Sequence, residues 1–302
     1  MLRSDSFRAM NTEIDLLVQA DAPPSLAFLE VRLLFEQQEQ RFSRFRSESL
    51  LSRLNAGEPI ADPWLDAALQ LALEAHRRTG GRFNPAILPA LEAAGYDRTF
   101  EQVAGGHPRS LPAPDLASVL RRSQAGWVLE GARLDLGGMV KGWTADLAIE
   151  HLRAAGFASA LVNAGGDIRV SGGETPGAPG WTLSIDDLAG SEAWQGRVTT
   201  ALATSTTRKR RWRTASGAEA HHLIDPRSGL PAAETFAQVS VIAESCWLAE
   251  TWAKAILIGG EDALAEAADA GVSALALRPD GSLRITPAWP APGISPDCSP
   301  RR

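Results

Sequence analysis

The densest concentration of reactive residues lies in Leu134–Val170, where two glycine doublets, one lysine and three aspartates surround a single amphipathic segment. Gly137-Gly138 interrupts a strand-like run, and Val140, Trp143 and Leu147 then fall on one stripe at helical spacing. This spacing predicts a helix from Met139 that ends near Gly156, a residue suited to a left-handed cap. Ala160-Leu161-Val162 reads as a strand that stops at Asn163-Ala164-Gly165-Gly166-Asp167. Glycines at both strand ends let backbone N–H groups approach a ligand, and the adjoining helix N-terminus favours an anion. The residues by themselves support a site for a phosphate-bearing ligand. They equally fit the glycine-rich strand-to-helix turns of any α/β domain. Neither GxGxxG nor GxxxxGK[ST] occurs, so a Rossmann or Walker nucleotide site has no support.

Only three of the 30 basic residues are lysines, namely Lys141, Lys209 and Lys254. That rarity favours a positioned role for Lys141 and Lys254, whereas Lys209 reads as readily as chance in an arginine-rich chain. Arg208 to Arg213 is a basic run with an aromatic, too short to outweigh a net charge of -6, and reads as a solvated hairpin or a phosphate-facing edge. General nucleic-acid binding is not expected at this charge. His221 and His222 precede Asp225 closely enough for a metal site, but a polar turn is the commoner meaning.

The elements around these residues follow from periodicity and punctuation. Phe7–Gln19 reads as a strand with a turn-like Met10-Asn11-Thr12, and helices are expected after Pro24 and over Asp62–Thr79. Trp127–Leu129 and Arg133–Leu136 read as a hairpin, and strands are expected at Trp181–Ile185, Gly196–Ala203 and Phe236–Ala243. Ser245 is expected to cap a helix that stops at Gly259-Gly260, followed by a helix at Glu261–Ala270, a strand at Val272–Leu277 and a partner near Leu283. Residues 1–286 are expected to form one large α/β (α+β) domain of mixed or antiparallel sheets with packed helices. The proline-rich residues 287–302 are expected to be a disordered tail. No apolar run approaches the roughly 18 residues of a membrane span, and the first twenty residues lack an apolar signal core, so a cytoplasmic location is expected. Cys246 and Cys298 are too few for a disulfide framework.

Taken in order, these segments resemble the ApbE family of FAD:protein FMN transferases from about Phe7 to Ile285. The pieces that carry the resemblance are Ala9-Met10-Asn11-Thr12 (usually MGT), Ser43-Arg44-Phe45-Arg46 and Gly81-Arg82-Phe83-Asn84-Pro85 (usually aspartate at 84). With them come Asp135–Gly142, Asn163–Asp167 and His222–Gly229. The resemblance implies FAD held between the AGGD-type turn, the lysine-bearing helix and the HxIDP turn. It makes Met10, Phe45, Arg82, Phe83, Asn84, Asp135, Lys141, Asn163, Gly165, Gly166, Asp167, His222 and Asp225 candidate FAD contacts. The implied reaction moves FMN onto a Ser or Thr hydroxyl of an acceptor protein and releases AMP, with His222 the candidate general base.

Family members usually carry DALAT in the helix after Ser245 and hold Mg²⁺ there. Here Glu250 stands at the aspartate position, Ala253 at the carbonyl position and Lys254 at the threonine position, with Gly138 in the glycine doublet that assists. A protonated lysine cannot ligate Mg²⁺. The expectation is that the Lys254 ammonium occupies the metal's place, paired with Glu250 one turn earlier. A solvent-facing Glu250–Lys254 pair in a chain without the metal site is the alternative. Other readings are a non-catalytic FAD-binding protein, an FAD pyrophosphatase giving FMN and AMP, and a hydrolase using Ser205, His222 and Asp225, which lacks the GxSxG elbow.

Overall fold

The computed structural model describes residues 1–103, 105–175 and 177–291. Phe7–Gln19, expected as one strand, is instead part of a hairpin: β1 (Leu2–Ala9) pairs with β2 (Thr12–Gln19) in register Ala9↔Thr12. Met10 and Asn11 form the turn at φ 50° and 57°. A two-residue hairpin turn of this kind needs positive φ at both positions, which Asn tolerates and Met does not favour. There follow α1 (Ser25–Phe42), α2 (Leu50–Asn55), α3 (Pro63–Arg78), α4 (Leu88–Ala93) and α5 (Leu116–Val119). Asp62 caps α3 by accepting from the N–H groups of Trp64 (2.8 Å) and Leu65 (3.0 Å), and Pro63 fills the first turn.

The hairpin expected from 127–129 and 133–136 is displaced: β3 (Leu120–Ser123) pairs with β4 (Gly126–Leu129). The 133–136 segment is held outside any ladder, where the Leu134 N–H donates to Asn55 Oδ1 (2.7 Å) and the Asp135 N–H to the Pro85 carbonyl (2.9 Å). The chain continues through α6 (Val140–Ala154), β5 (Ala160–Ala164), β6 (Asp167–Ser171), β7 (Trp181–Asp186), β8 (Glu192–Val198) and β9 (Ala201–Thr206). Next come β10 (Arg211–Arg213), β11 (Glu219–His221), β12 (Ile224–Asp225), β13 (Leu230–Pro231) and β14 (Gln238–Ala243). The last elements are α7 (Cys246–Asp269), β15 (Ser273–Leu277) and β16 (Leu283–Ile285). Gly196–Ala203, expected as one strand, is split between β8 and β9, which lie in different sheets.

An eight-stranded sheet in the order β1-β2-β5-β6-β9-β14-β15-β16, antiparallel throughout, organises a single α+β domain, as expected. Its two faces differ in side-chain size because neighbours along a strand point to opposite sides. Ala160, Val162, Ala164, Ala201 and Ala203 point to the helix side, where small residues let α6 and α7 sit close to the sheet. Leu161, Val170, Leu202, Leu275 and Leu277 point the other way and are covered by the β7–β8 hairpin through Trp181, Leu183, Ile185 and Trp194. Trp289 joins that second cluster, its ring 5.0 Å from Trp194, so residues 287–291 depart from the expected tail. Burying an indole offsets the cost of ordering a proline-rich segment. The rest of that expectation, residues 292–302, lies outside the described residues.

Helix α6 meets the first turn of α7 at Gly142, where an added Cβ would lie 2.8 Å from the backbone carbonyl of Cys246 and 2.9 Å from the Trp247 nitrogen. Gly142→Ala is expected to cost about 2 kcal/mol, because both contacts are backbone and neither can rotate away. Urea unfolding checks this, and an unchanged midpoint would contradict the packing. Ser245 makes no side-chain cap on α7. The capping acceptor comes from α6 instead: Asp146 takes the N–H groups of Cys246 (2.8 Å) and Trp247 (3.0 Å) and faces Arg169 Nε at 3.2 Å. Gly260, at φ 62°, interrupts α7 where the sequence predicts the break between two helices.

Burial pushes the Asp146 carboxyl up to about 6 against its two backbone donors and Arg169. A raised carboxyl pKa favours the folded state below its ordinary value, and that contribution is lost as pH rises through the folded value. The stability difference between the unaltered chain and Asp146→Asn is therefore expected to shift against the unaltered chain between the ordinary 3.8 and about 6. Urea unfolding across that window reads it, and a flat difference would contradict it. No helix among the described residues is long and apolar enough to cross a membrane.

Candidate functional site

Two hairpin turns meet at one end of the large sheet. β2 pairs with β5 so that Ile14 faces Ala164, which sets the Met10-Asn11 turn beside the Gly165-Gly166 turn that joins β5 to β6. A Cβ on Gly165 would lie 2.1 Å from Thr12 Oγ1, so this close approach, with φ 67°, excludes any side chain there. Asn163 ties the turn together, its Oδ1 accepting from the Gly166 N–H (2.9 Å) and its Nδ2 donating to Asp15 (3.0 Å). Beside these turns opens a cavity of about 800 Å³, a volume ordinary for a small-molecule site.

Lys141, Asp167 and Lys254 line its floor, with Glu250 buried beneath them. Lys141, in the first turn of α6, bonds Asp167 Oδ2 at 2.7 Å and also Glu250 Oε1. Lys254 Nζ, one turn after Glu250 on α7, donates to the same Oε1 at 2.9 Å. Glu250 Oε2 accepts the Gly142 N–H at 2.9 Å, and Glu250 is fully buried. Burial works to raise the Glu250 pKa, but Lys141 and Lys254 outweigh it and hold the carboxyl at about 2. Burial likewise opposes the Lys141 charge, yet Asp167 and Glu250 raise its pKa. For Lys254 burial prevails, and its pKa is lowered.

The adjacent histidines have different partners. His221 is buried, with Nε2 bonded to the Ala232 carbonyl (3.1 Å) and Nδ1 taking the Leu223 N–H (3.3 Å), the pattern of a neutral structural imidazole. His222 lines the cavity, and its Nδ1 is enclosed with no hydrogen-bond partner among the described residues. Burial, then the charges of Arg210 and Lys254, push its pKa well below the ordinary 6.5, so the ring is neutral at neutral pH.

Of the residues singled out from sequence, Arg82, Phe83, Asn84, Asp135, Gly138, Lys141, Asn163, Gly165, Gly166, Asp167, His222 and Lys254 line the cavity. Some of these are also committed to the fold. Asn84 donates to the Pro114 carbonyl (2.8 Å) and accepts from the Ala86 N–H (3.0 Å), and Arg82 is paired with Glu266 (2.6 Å). Met10, Phe45, Asp225, Glu250 and Ala253 are not among the lining residues. The Met10 N–H donates to Glu39 (2.7 Å), and Ala253 lies in the helix–sheet core. Asp225 is consumed by Arg227 (2.9 Å) in the turn that follows it. Phe45 is 43% exposed and stacks on the Arg44 guanidinium, which in turn pairs with Asp135 at 2.9 Å and so fixes a cavity residue.

The basic run, which the sequence leaves open between a solvated hairpin and a phosphate-facing edge, reaches the cavity. Lys209 and Arg210 line the cavity together with Thr204, Ser205 and Thr206 at the end of β9. Arg210 sits at φ 52°, an irregularity that composition does not disclose. Tyr96 and Phe100, which the sequence does not single out, supply an aromatic wall.

The residues present do not fit Mg²⁺. That ion needs several unencumbered oxygen donors in octahedral array, whereas Glu250 Oε1 already serves two ammonium groups and Oε2 a backbone N–H. Among the described residues no group of three or more His, Cys, Asp or Glu is placed to hold a metal. The set Gly138, Glu250 and Ala253, carried over by resemblance, is corrected on this ground: the ammonium of Lys254 takes the oxygen that the ion would need.

Comparison with known proteins fits this geometry. The sequence model of the ApbE family matches residues 10–276. The FAD:protein FMN transferase of Treponema pallidum is 30% identical over 286 residues, covering 86% of this chain and 79% of that protein. That of Rhodobacter capsulatus is 31% identical over 259 residues, covering 80% of this chain and 47% of that protein. Among solved structures, the ApbE protein of Thermotoga maritima superposes with a TM-score of 0.84 at 20% identity, covering 95% of this chain and 97% of its own. Flavin transferase ApbE from Vibrio cholerae gives 0.76 at 22%, covering 96% and 98%. The structural likenesses establish the fold, and the match over residues 10–276 establishes the kinship: this chain belongs to the ApbE family.

Proposed function

We propose that this chain is an FAD:protein FMN transferase, moving FMN from FAD to a Ser or Thr hydroxyl of an acceptor protein. The observation that carries this reading is His222 lining the same cavity as Lys141, Lys254 and Arg210. The acceptor oxygen forms a bond to the flavin-side phosphorus while the bond from that phosphorus to the bridging oxygen breaks. The electron pair leaves on AMP, and the hydroxyl proton passes to His222. Cations around the phosphates stabilise the charge that builds on the leaving group, and the cavity walls hold the reacting atoms in line. Tyr96, Phe100 and Phe83 offer flat apolar surface to an isoalloxazine or adenine ring.

Incubation with FAD and a candidate acceptor tests the reading. Flavin fluorescence that survives denaturing electrophoresis, with one AMP released per flavin attached, is expected. Release of free FMN without acceptor labelling would make the chain an FAD pyrophosphatase, and FAD bound but unchanged would make it a flavin-binding protein.

A further inference from the structure

Resting on the transferase reading, we propose that the diphosphate of FAD is held by two side chains of this protein, Lys254 and Arg210, and that FAD binding needs no divalent metal ion. Lys254 is anchored at one point only: among the described residues its ammonium makes a single hydrogen bond, to Glu250. An ammonium carries three N–H donors, so two remain, and the group lines the cavity. Its stem lies against Gly138, with Cδ 3.4 Å and Cε 3.6 Å from where a Gly138 Cβ would stand, so its position is set by packing as well as by charge.

Lys254 alone does not supply net charge. Lys141, Lys254, Asp167 and Glu250 are two cations and two anions joined by hydrogen bonds, and their formal charges cancel. Asp135 is similarly matched by Arg44. A diphosphate brings two negative charges, and the cations left to meet them come from the loop between β9 and β10. There Arg208 pairs with Glu234, and Arg211 with Glu219 and Glu234. Between them, Arg210 makes no ion pair or side-chain hydrogen bond among the described residues, and it lines the cavity with Lys209. Its backbone is held at φ 52°, a conformation that costs a non-glycine residue energy and turns this side chain away from the course of its paired neighbours. Arg210, Lys254 and His222 all line this one cavity. A guanidinium presents a fork of donors matched to two phosphate oxygens, and an ammonium offers a compact charge to a third.

The experiment is FAD titration by flavin fluorescence and calorimetry, on the full chain stripped with EDTA and again in excess MgCl₂, with riboflavin as the phosphate-free probe. The unaltered chain is expected to bind FAD equally, within about twofold, in both conditions. Arg210→Gln and Lys254→Thr are each expected to weaken FAD binding by about 10- to 100-fold in EDTA, the usual worth of a charge-assisted contact. Riboflavin binding by both variants should be unchanged, which excludes misfolding as the cause. FAD binding by the unaltered chain that appears only with MgCl₂ would overturn the proposal while leaving the transferase reading intact. So would variants that bind FAD as tightly as the unaltered chain. If no flavin binds in either condition, the transferase reading falls first and this proposal with it.

Discussion

Replacing His222 with alanine is expected to lower the rate of flavin transfer by about 10²- to 10⁴-fold, the contribution of a positioned general base. FAD affinity should change little, because the imidazole is neutral and meets the acceptor hydroxyl rather than the phosphates. Single-turnover transfer to an acceptor peptide, with FAD binding measured in parallel, separates the two effects. The pH dependence supplies an independent signature. Burial and the charges of Arg210 and Lys254 lower the His222 pKa, so the free enzyme keeps its base unprotonated at pH 6.5 and loses it only at lower pH. The acid limb of kcat/KM, which reports the free enzyme, should therefore lie below that value. Bound diphosphate offsets the same cations and raises the pKa, so the acid limb of kcat should lie at higher pH than that of kcat/KM. An acid limb of kcat/KM at or above 6.5, or a variant that retains a third of the rate, would remove His222 from the mechanism.

The largest stability effect is expected at Glu250. Glu250→Ala leaves two largely buried ammonium groups with only Asp167, which bonds Lys141, as a counter-charge and removes the acceptor of the Gly142 N–H. Breaking a buried charge pair from one side costs about 3–5 kcal/mol, most of it the penalty of the charges left unpaired. Urea unfolding measures this, and adding Lys254→Met to Glu250→Ala should restore part of the loss by removing one stranded cation. A single variant within about 1 kcal/mol of the unaltered chain would contradict the cluster, since that is the scale of a surface pair. The linkage has a definite sign. The Glu250 carboxyl is held at about 2 in the fold against an ordinary 4.5, so its ionisation stabilises the protein above that ordinary value. This contribution is lost as pH falls from 4.5 toward about 2.

Much of this architecture could be read from local pattern. Helix α3 announces itself through Asp62, Pro63 and a 3.6-residue apolar stripe, and the break in α7 through Gly259-Gly260, because caps and breakers act over a few neighbouring residues. The Gly165-Gly166 turn is legible for the same reason, since left-handed backbone at a tight hairpin favours glycine. The pairing of Lys254 with Glu250 follows from their spacing of one helical turn.

What local pattern could not show is which groups share an atom across the fold. That Lys141 from α6 and Lys254 from α7 meet on one oxygen of Glu250 depends on two helices brought together by an alanine-lined sheet face, with Lys141 and Glu250 separated by 109 residues. That Asp146, rather than Ser245, caps α7 depends on the same crossing. Composition leaves the basic run open between a solvated hairpin and a phosphate-facing edge, and one of its arginines, itself at a left-handed φ, lines the cavity. Charge and periodicity are properties of neighbours along the chain, so the sequence determined most helices, their caps and the glycine turns, and the kinship. Only the tertiary structure determined where the cations converge, because burial and shared hydrogen bonds arise between segments far apart in sequence.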